Sequence, residues 1–275
     1  MLMTNELLTA VPAWGVMWLL AVGVFAACKV LTYRTAGQRT SAGVTAGYLF
    51  GWPGLDVGPF VSRGHTPERR VESREWIWAG GKTLFGAVLI WVGVRAVPTH
   101  APLIAGWVGI IGLGFLLHFG AFHLLANIWR AAGYDVQPLM DAPHRSTSLA
   151  EFWSRRWNLA FRDLSHRFIF RPLRSQLGVG GAMLAVFLFS GLVHDLVISV
   201  PAGGGYGLPT AYFLVQAAGL LGQRSRWAKR WSLHEGFIGW AVTATFVLAP
   251  LPWLFHRTFV LEVVMPFLKV MGAMG

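Results

Sequence analysis

Charged residues are scarce in this chain. Asp, Glu, Lys and Arg make up 13% of its 275 residues, about half of the 25% usual for a soluble domain. Acidic residues are scarcer still: 12 Asp and Glu stand against 23 Lys and Arg, for a net charge of +11. One cysteine, Cys28, is present, which excludes a disulfide framework and a cysteine-built metal site. The nine histidines are scattered, with no two spaced three or four apart. A zinc helix and the histidine boxes of membrane di-iron hydroxylases both need such spacing, so no metal is expected. What fills the chain is apolar: 55% of residues are hydrophobic and the mean hydropathy is +0.52. This is the composition of an all-α, polytopic integral membrane protein with most of its mass in lipid. The basic excess falls mostly in short loops, which fits cytoplasmic loops and anionic headgroups, not nucleic acid.

In chain order, Met1–Leu8 reads as a short external tail. Phe25-Ala26-Ala27-Cys28 loosely matches a lipoprotein cleavage site, but the residues before it hold Glu6 and no basic residue, against a signal peptide. Pro12–Tyr33 is the first expected span. Lys29, Arg34 and Arg39 mark its end as cytoplasmic, which puts the N-terminus outside. Ser41–Phe60 is apolar but broken by Gly51-Trp52-Pro53-Gly54 and Asp56, and basic on both flanks. It reads as a re-entrant hairpin or as a loop lying on the surface. Trp76–Val97 and Ala101–Asn127 are the next spans. Lys82 is expected to snorkel. His123 and Asn127 share a helical face while His118 is turned about 140° from His123. They either hydrogen-bond between helices or line a tunnel. Leu208–Gly222, Phe237–Phe255 and Thr258–Met271 follow, the last of uncertain reach. Six or seven spans result, in a single domain over residues 1–275. Pro201–Gly207 is a turn and not a phosphate loop, because no Gly-Lys-Ser/Thr follows.

The chain is organised around Ser148–Val200. Ser148-Leu149-Ala150-Glu151 matches a capping box, so a helix is expected from Leu149. Phe152, Arg155, Arg156 and Leu159 on it suggest a cytoplasmic amphipathic helix at the interface. Leu177–Val200 is apolar and long enough to span, yet it carries His194 and Asp195. An ionisable residue inside a span costs about 2.5–3.5 kcal/mol on insertion scales, which marks a functional site by default. A neutral imidazole suits a general base near neutral pH. Ser190, one turn earlier, can orient the ring, whereas Asp195 is about 100° round the helix and is expected to bond elsewhere or line the tunnel.

Three motifs in order carry a resemblance. They are Tyr48-Leu49-Phe50-Gly51-Trp52-Pro53-Gly54-Leu55-Asp56, then Phe152-Trp153-Ser154-Arg155-Arg156-Trp157-Asn158, then Ser190-Gly191-Leu192-Val193-His194-Asp195. Together they resemble the wax synthase-like branch of the membrane-bound O-acyltransferase (MBOAT) superfamily. The resemblance implies a multi-helix membrane enzyme that moves an acyl group from acyl-CoA to a hydroxyl. It implies His194 and Asn158 as the catalytic pair. Arg155, Arg156, Trp153, Trp157 and Ser190 are then expected at the substrates, with the two arginines on either CoA or lipid phosphates. The plant enzymes commonly carry Glu where this chain has Asp195, and the chain is compact for the family; both leave the acceptor open. Implied partners are an acyl-CoA donor, a hydrophobic alcohol and membrane lipids, with no further cofactor. The membrane is the plasma or inner membrane in a bacterium, the endoplasmic reticulum in a eukaryote.

One geometric difficulty follows. His194 lies 17 residues past Leu177, roughly 25 Å along a helix, while Asn158 starts on the cytoplasmic side. The two can serve one thioester only if the Asn158 segment dips inward or the donor spans a tunnel. A different class of function stays open beside this one: a proton-coupled transporter or channel using the His194–Asp195 pair as a relay.

Overall fold

The computed structural model describes residues 11–37, 40–61 and 71–274. The Met1–Leu8 tail, Arg39, Arg63, Arg69 and Arg70 lie outside these ranges. Every element among the described residues is helical. Five helices have the length and hydropathy to cross a membrane: α1 (Ala13–Thr35), α3 (Ser73–Ala96), α4 (Pro102–Ala131), α5 (Leu159–Ala202) and α7 (Gly236–Leu254). Among the shorter helices between them are α2 (Ala42–Gly51) and α6 (Leu208–Gln223). Among the described residues, five of the six or seven expected spans fall on helices of that length and hydropathy. Helix α6 has 16 residues, about 24 Å at helical rise against a hydrocarbon core of about 30 Å. The last apolar stretch is one helical run that widens at Val260–Val264.

Lipid offers no hydrophobic drive between helices, so close approach must hold them. Gly86 of α3 lies against the α4 backbone at Gly112 and Leu116, where a Cβ would collide with main-chain atoms. Polar residues add to this contact. Lys82 Nζ donates to His123 Nδ1 at 3.0 Å, and His123 Nε2 reaches Glu75 at 3.0 Å. Lys82 is therefore tied to the neighbouring helix and does not snorkel. His123 serves the interhelical hydrogen bonding that was one of its two expected roles. Asn127, on the same face, is fully buried, and Arg130 lies 3.5 Å from its carbonyl oxygen.

The broken segment after α1 is a helix, an extended stretch and a short turn. Helix α2 ends at Trp52, and a helical turn resumes at Gly58–Val61. Lys29, read from the sequence as a marker of the cytoplasmic end of α1, is instead buried. Its Nζ donates to the carbonyls of Tyr48 (2.8 Å) and Gly54 (2.5 Å) and sits 3.6 Å from the centre of the Tyr48 ring. Trp129 Nε1 donates to the Gly51 carbonyl at 2.8 Å. The carbonyls that the break exposes thus receive donors from α1 and α4, as backbone at membrane depth requires.

Candidate active site

The capping box forms, in a modified way. Ser148 Oγ accepts from Glu151 N–H at 3.1 Å, while the Glu151 carboxylate accepts from Thr147 N–H at 2.9 Å. The helix expected from Leu149 begins there but does not continue to Leu159. The helical stretch ends at Arg156, and Asn158 takes a left-handed conformation at φ +44°. Asn tolerates that region better than most residues. Its Oδ1 then accepts from Phe161 N–H at 3.2 Å and caps α5. With Oδ1 engaged, the side-chain Nδ2 is the group left to donate.

The segment leaves Ser154 and Arg155 exposed and packs its rings inward. The Trp153 ring packs edge-on against Phe187 at 5.6 Å, and Phe161 stacks on Phe189 at 6.1 Å. Helix α5 itself kinks at Gly178 (φ 66°, ψ 179°). Phe187 and Phe189 lie some 14–16 Å beyond that kink at helical rise. The stretch from Trp153 to Phe161 therefore dips alongside the middle of the His194 segment. The Asn158 segment thus approaches the His194 helix, in keeping with the first of the two arrangements that the sequence left open.

His194 is partly buried at the end of the regular part of α5. Its Nδ1 lies 2.7 Å from the Ser190 carbonyl oxygen. A carbonyl only accepts, so Nδ1 carries a proton, and in the neutral ring Nε2 is the nitrogen with the free lone pair. The ring is held by the Ser190 main chain and not by its hydroxyl. No hydrogen bond joins the ring to Asp195. After His194 the helix widens into a π turn, Asp195–Ser199, a distortion common at functional sites.

Sequence reasoning located helix α6, as the span Leu208–Gly222, but gave it no part in the site. Phe213 packs on the His194 ring at 4.5 Å and on Trp153 at 5.8 Å. Gln216 accepts from Trp153 Nε1 at 3.4 Å and donates to the Phe246 carbonyl at 2.6 Å. Gln223 accepts from Leu149 N–H and donates to the Leu233 carbonyl, both at 2.8 Å. The signal was available: Gln216 and Gln223 stand two turns apart on one face of an otherwise apolar helix. Ring contacts run unbroken from Trp157 through Phe152, Trp153 and Phe213 to His194.

The two arginines part company. Arg156 binds Glu151 through Nε (2.8 Å) and Nη2 (2.7 Å), and the Asp141 carbonyl through Nη1 (3.2 Å). Arg155 is exposed. Burial by itself would raise the Glu151 carboxyl, but the Thr147 N–H and Arg156 outweigh it and hold the group below the ordinary carboxylate value.

Comparison with known proteins agrees on this stretch. Residues 136–216 match the Membrane bound O-acyl transferase family. A long-chain-alcohol O-fatty-acyltransferase from Simmondsia chinensis is 29% identical over 147 residues, which is 49% of this chain and 41% of that protein. A probable long-chain-alcohol O-fatty-acyltransferase 2 from Arabidopsis thaliana is 34% identical over 137 residues, 45% of this chain and 39% of that protein. A third, the probable long-chain-alcohol O-fatty-acyltransferase 6 of the same plant, is 23% identical over 202 residues, 69% of this chain and 58% of that protein. The chain thus spans from two fifths to under two thirds of the length of these relatives. The stretch that holds Asn158 and His194 is similar to the membrane bound O-acyl transferase family, and the chain is similar to long-chain-alcohol O-fatty-acyltransferases, the wax synthase-like branch.

Proposed function

We propose that the protein is a membrane O-acyltransferase that moves an acyl group from acyl-CoA to the hydroxyl of a lipophilic alcohol. The observation that carries this reading is the fixed tautomer of His194: Nδ1–H is spent on the Ser190 carbonyl, and Nε2 is left as a base. An alcohol is a weak nucleophile near neutral pH and needs such a base. His194 Nε2 takes the hydroxyl proton as the alcohol oxygen attacks the thioester carbonyl carbon. Asn158 Nδ2 donates to the oxyanion that develops there. The C–S bond then breaks, and the CoA thiolate leaves with the proton returned from His194. Arg155, exposed beside the site segment, contributes to holding the CoA phosphates. The surrounding rings (Trp153, Trp157, Phe213) give an apolar wall suited to an alkyl chain. The N-terminus is outside and the Arg130–Arg174 region cytoplasmic, by the distribution of arginines.

The test uses purified protein in detergent, labelled acyl-CoAs from acetyl to palmitoyl, and a pool of alcohols, beside His194→Ala. Ester formed only with the intact histidine supports the reading and identifies both substrates. A folded sample that neither makes ester nor releases CoA with any donor overturns it.

A further inference from the structure

Asp195 adjoins the proposed base, yet nothing in the reaction above uses it. Its carboxylate is filled from elsewhere. Oδ1 accepts from Gly207 N–H at 2.8 Å and from Ser199 Oγ at 2.9 Å. Oδ2 accepts from Thr210 N–H at 3.0 Å and from the Thr210 hydroxyl. The direction of the Ser199 bond is fixed one step further back. His256 Nδ1 accepts from Phe259 N–H at 3.2 Å, so Nε2 carries the proton and faces Ser199 Oγ at 3.4 Å. The hydroxyl is left to donate to Asp195 at 2.9 Å or to the Gly205 carbonyl at 3.3 Å, and the Asp195 contact is the shorter. Four donors occupy the roughly four lone-pair directions of a carboxylate. A proton from His194 would have to displace one of these donors.

Two of these donors are main-chain N–H groups in the first turn of α6. That turn begins at Gly207, at φ +81°, which has no side chain with which to cap it. A carboxylate is well matched to free N–H groups and to the positive end of a helix. Asp195 thus caps α6 from another helix. The two helices are also in close contact here: a Cβ on Gly191 would stand 2.6 Å from Thr210 Cα. One turn beyond Thr210, Phe213 lies 4.5 Å from the His194 ring. Adjacent residues of α5, His194 and Asp195, thus meet residues one turn apart on α6, Phe213 and Thr210.

We propose that Asp195 is a positioning residue: its carboxylate fastens the first turn of α6 to α5, and through Phe213 sets the orientation of the His194 imidazole. It takes no proton in the reaction. The inference rests on the acyltransferase reading for its catalytic consequence, but not for its structural one.

The experiment compares Asp195→Asn, Thr210→Val and Thr210→Ser with the parent, by kinetics and by NMR of the full-length protein with labelled histidine rings. The His194 signal is identified by its loss in His194→Ala, and its ring-current shift by Phe213→Leu. Asp195→Asn and Thr210→Val are expected to displace that signal in the same sense as Phe213→Leu. They should also lower kcat, by up to about 10²-fold for a misplaced catalytic group, with KM for both substrates little changed. Thr210→Ser, which keeps the hydroxyl and the N–H, should restore both readouts. An unmoved His194 signal in Asp195→Asn overturns the proposal, as does a displaced signal with undiminished kcat. If the parent itself makes no ester, the acyltransferase reading fails, and the NMR result alone then decides whether Asp195 orients the ring.

Discussion

The Nδ1 of His194 donates to the main-chain carbonyl of Ser190, 2.7 Å away and one turn earlier in the same helix. Because the acceptor is backbone, the ring keeps its tautomer whatever side chain stands at position 190. Ser190→Ala should therefore retain kcat within about threefold, since the bond it makes to the ring is untouched, whereas loss of the base in His194→Ala should cost about 10²–10⁴-fold. Single-turnover measurement of CoA release separates the two. A large loss in Ser190→Ala would mean that the hydroxyl, not the carbonyl, serves the site.

Asn158 has two separable duties. Its Oδ1 caps the following helix, and its backbone sits at φ +44°. Asn158→Asp keeps the cap oxygen and tolerates the same backbone region, but it lacks the Nδ2 donor. It should leave the thermal midpoint close to the parent's while kcat falls by about 10²–10³-fold, the cost of losing one oxyanion donor. Asn158→Ala should lose both stability and turnover. Normal kcat in a folded Asn158→Asp protein would remove Asn158 from the mechanism.

Much of this site was legible in the sequence because its chemistry is local. Ser148 and Glu151 announce a helix start, and a histidine in a long apolar run announces a cost that function must justify. The Gly51–Gly54 break, too, was visible as a gap in an apolar segment. Other features rest on contacts distant in sequence. Lys29 resembles any basic residue at the end of a span until Tyr48 and Gly54 fold over it. The break at Asn158 depends on a left-handed residue inside an amphipathic pattern, which periodicity cannot reveal. Helix α6 carries its information in Phe213, Gln216 and Gln223, whose partners at His194, Trp153 and Leu149 lie 19 to 74 residues away.

Arg155 and Arg156 should respond differently to removal. Arg156 is bound to Glu151 and to the Asp141 carbonyl, so Arg156→Ala should lower thermal stability. Arg155 is exposed, so Arg155→Ala should leave stability alone and raise KM for acyl-CoA, more at low salt than at high. The same stability loss in both variants, with donor KM unchanged, would make Arg155 a structural or lipid-facing residue.

Glu151 gives a pH dependence with a definite sign. Burial opposes its ionisation, but Thr147 and Arg156 hold its carboxyl below the ordinary value. A carboxyl depressed on folding contributes stability that is fully present above its unfolded pKa, about 4.3, and is lost as pH falls through the folded value. Glu151→Gln should therefore lower the melting temperature at pH 7, and the gap to the parent should narrow as the pH falls below about 4. A gap that is constant from pH 7 to pH 3 would show that the pair does not depend on the charge.

Lys29 offers a test of the broken segment. Tyr48 lies in the last turn of α2, where carbonyls lack helical partners and a cation is favoured. The Lys29 ammonium supplies a donor there and another at Gly54, across the break. Lys29→Met keeps most of the volume and removes both donors, leaving two carbonyls unpaired at a cost of about 1–3 kcal/mol each. The break should then loosen locally before the bundle unfolds, because the α4 contacts of Phe60 with Trp129 and the nearby Tyr134 ring, each at 5.0 Å, are untouched. Hydrogen exchange over residues 48–57 should accelerate in Lys29→Met while α3 and α4 keep the parent's protection. Lys29→Arg, which retains a cation but reaches further and spreads its donors, should fall between the two. If exchange in that segment is unchanged in Lys29→Met, the ring packing of Phe60 holds the break and the buried ammonium has another purpose.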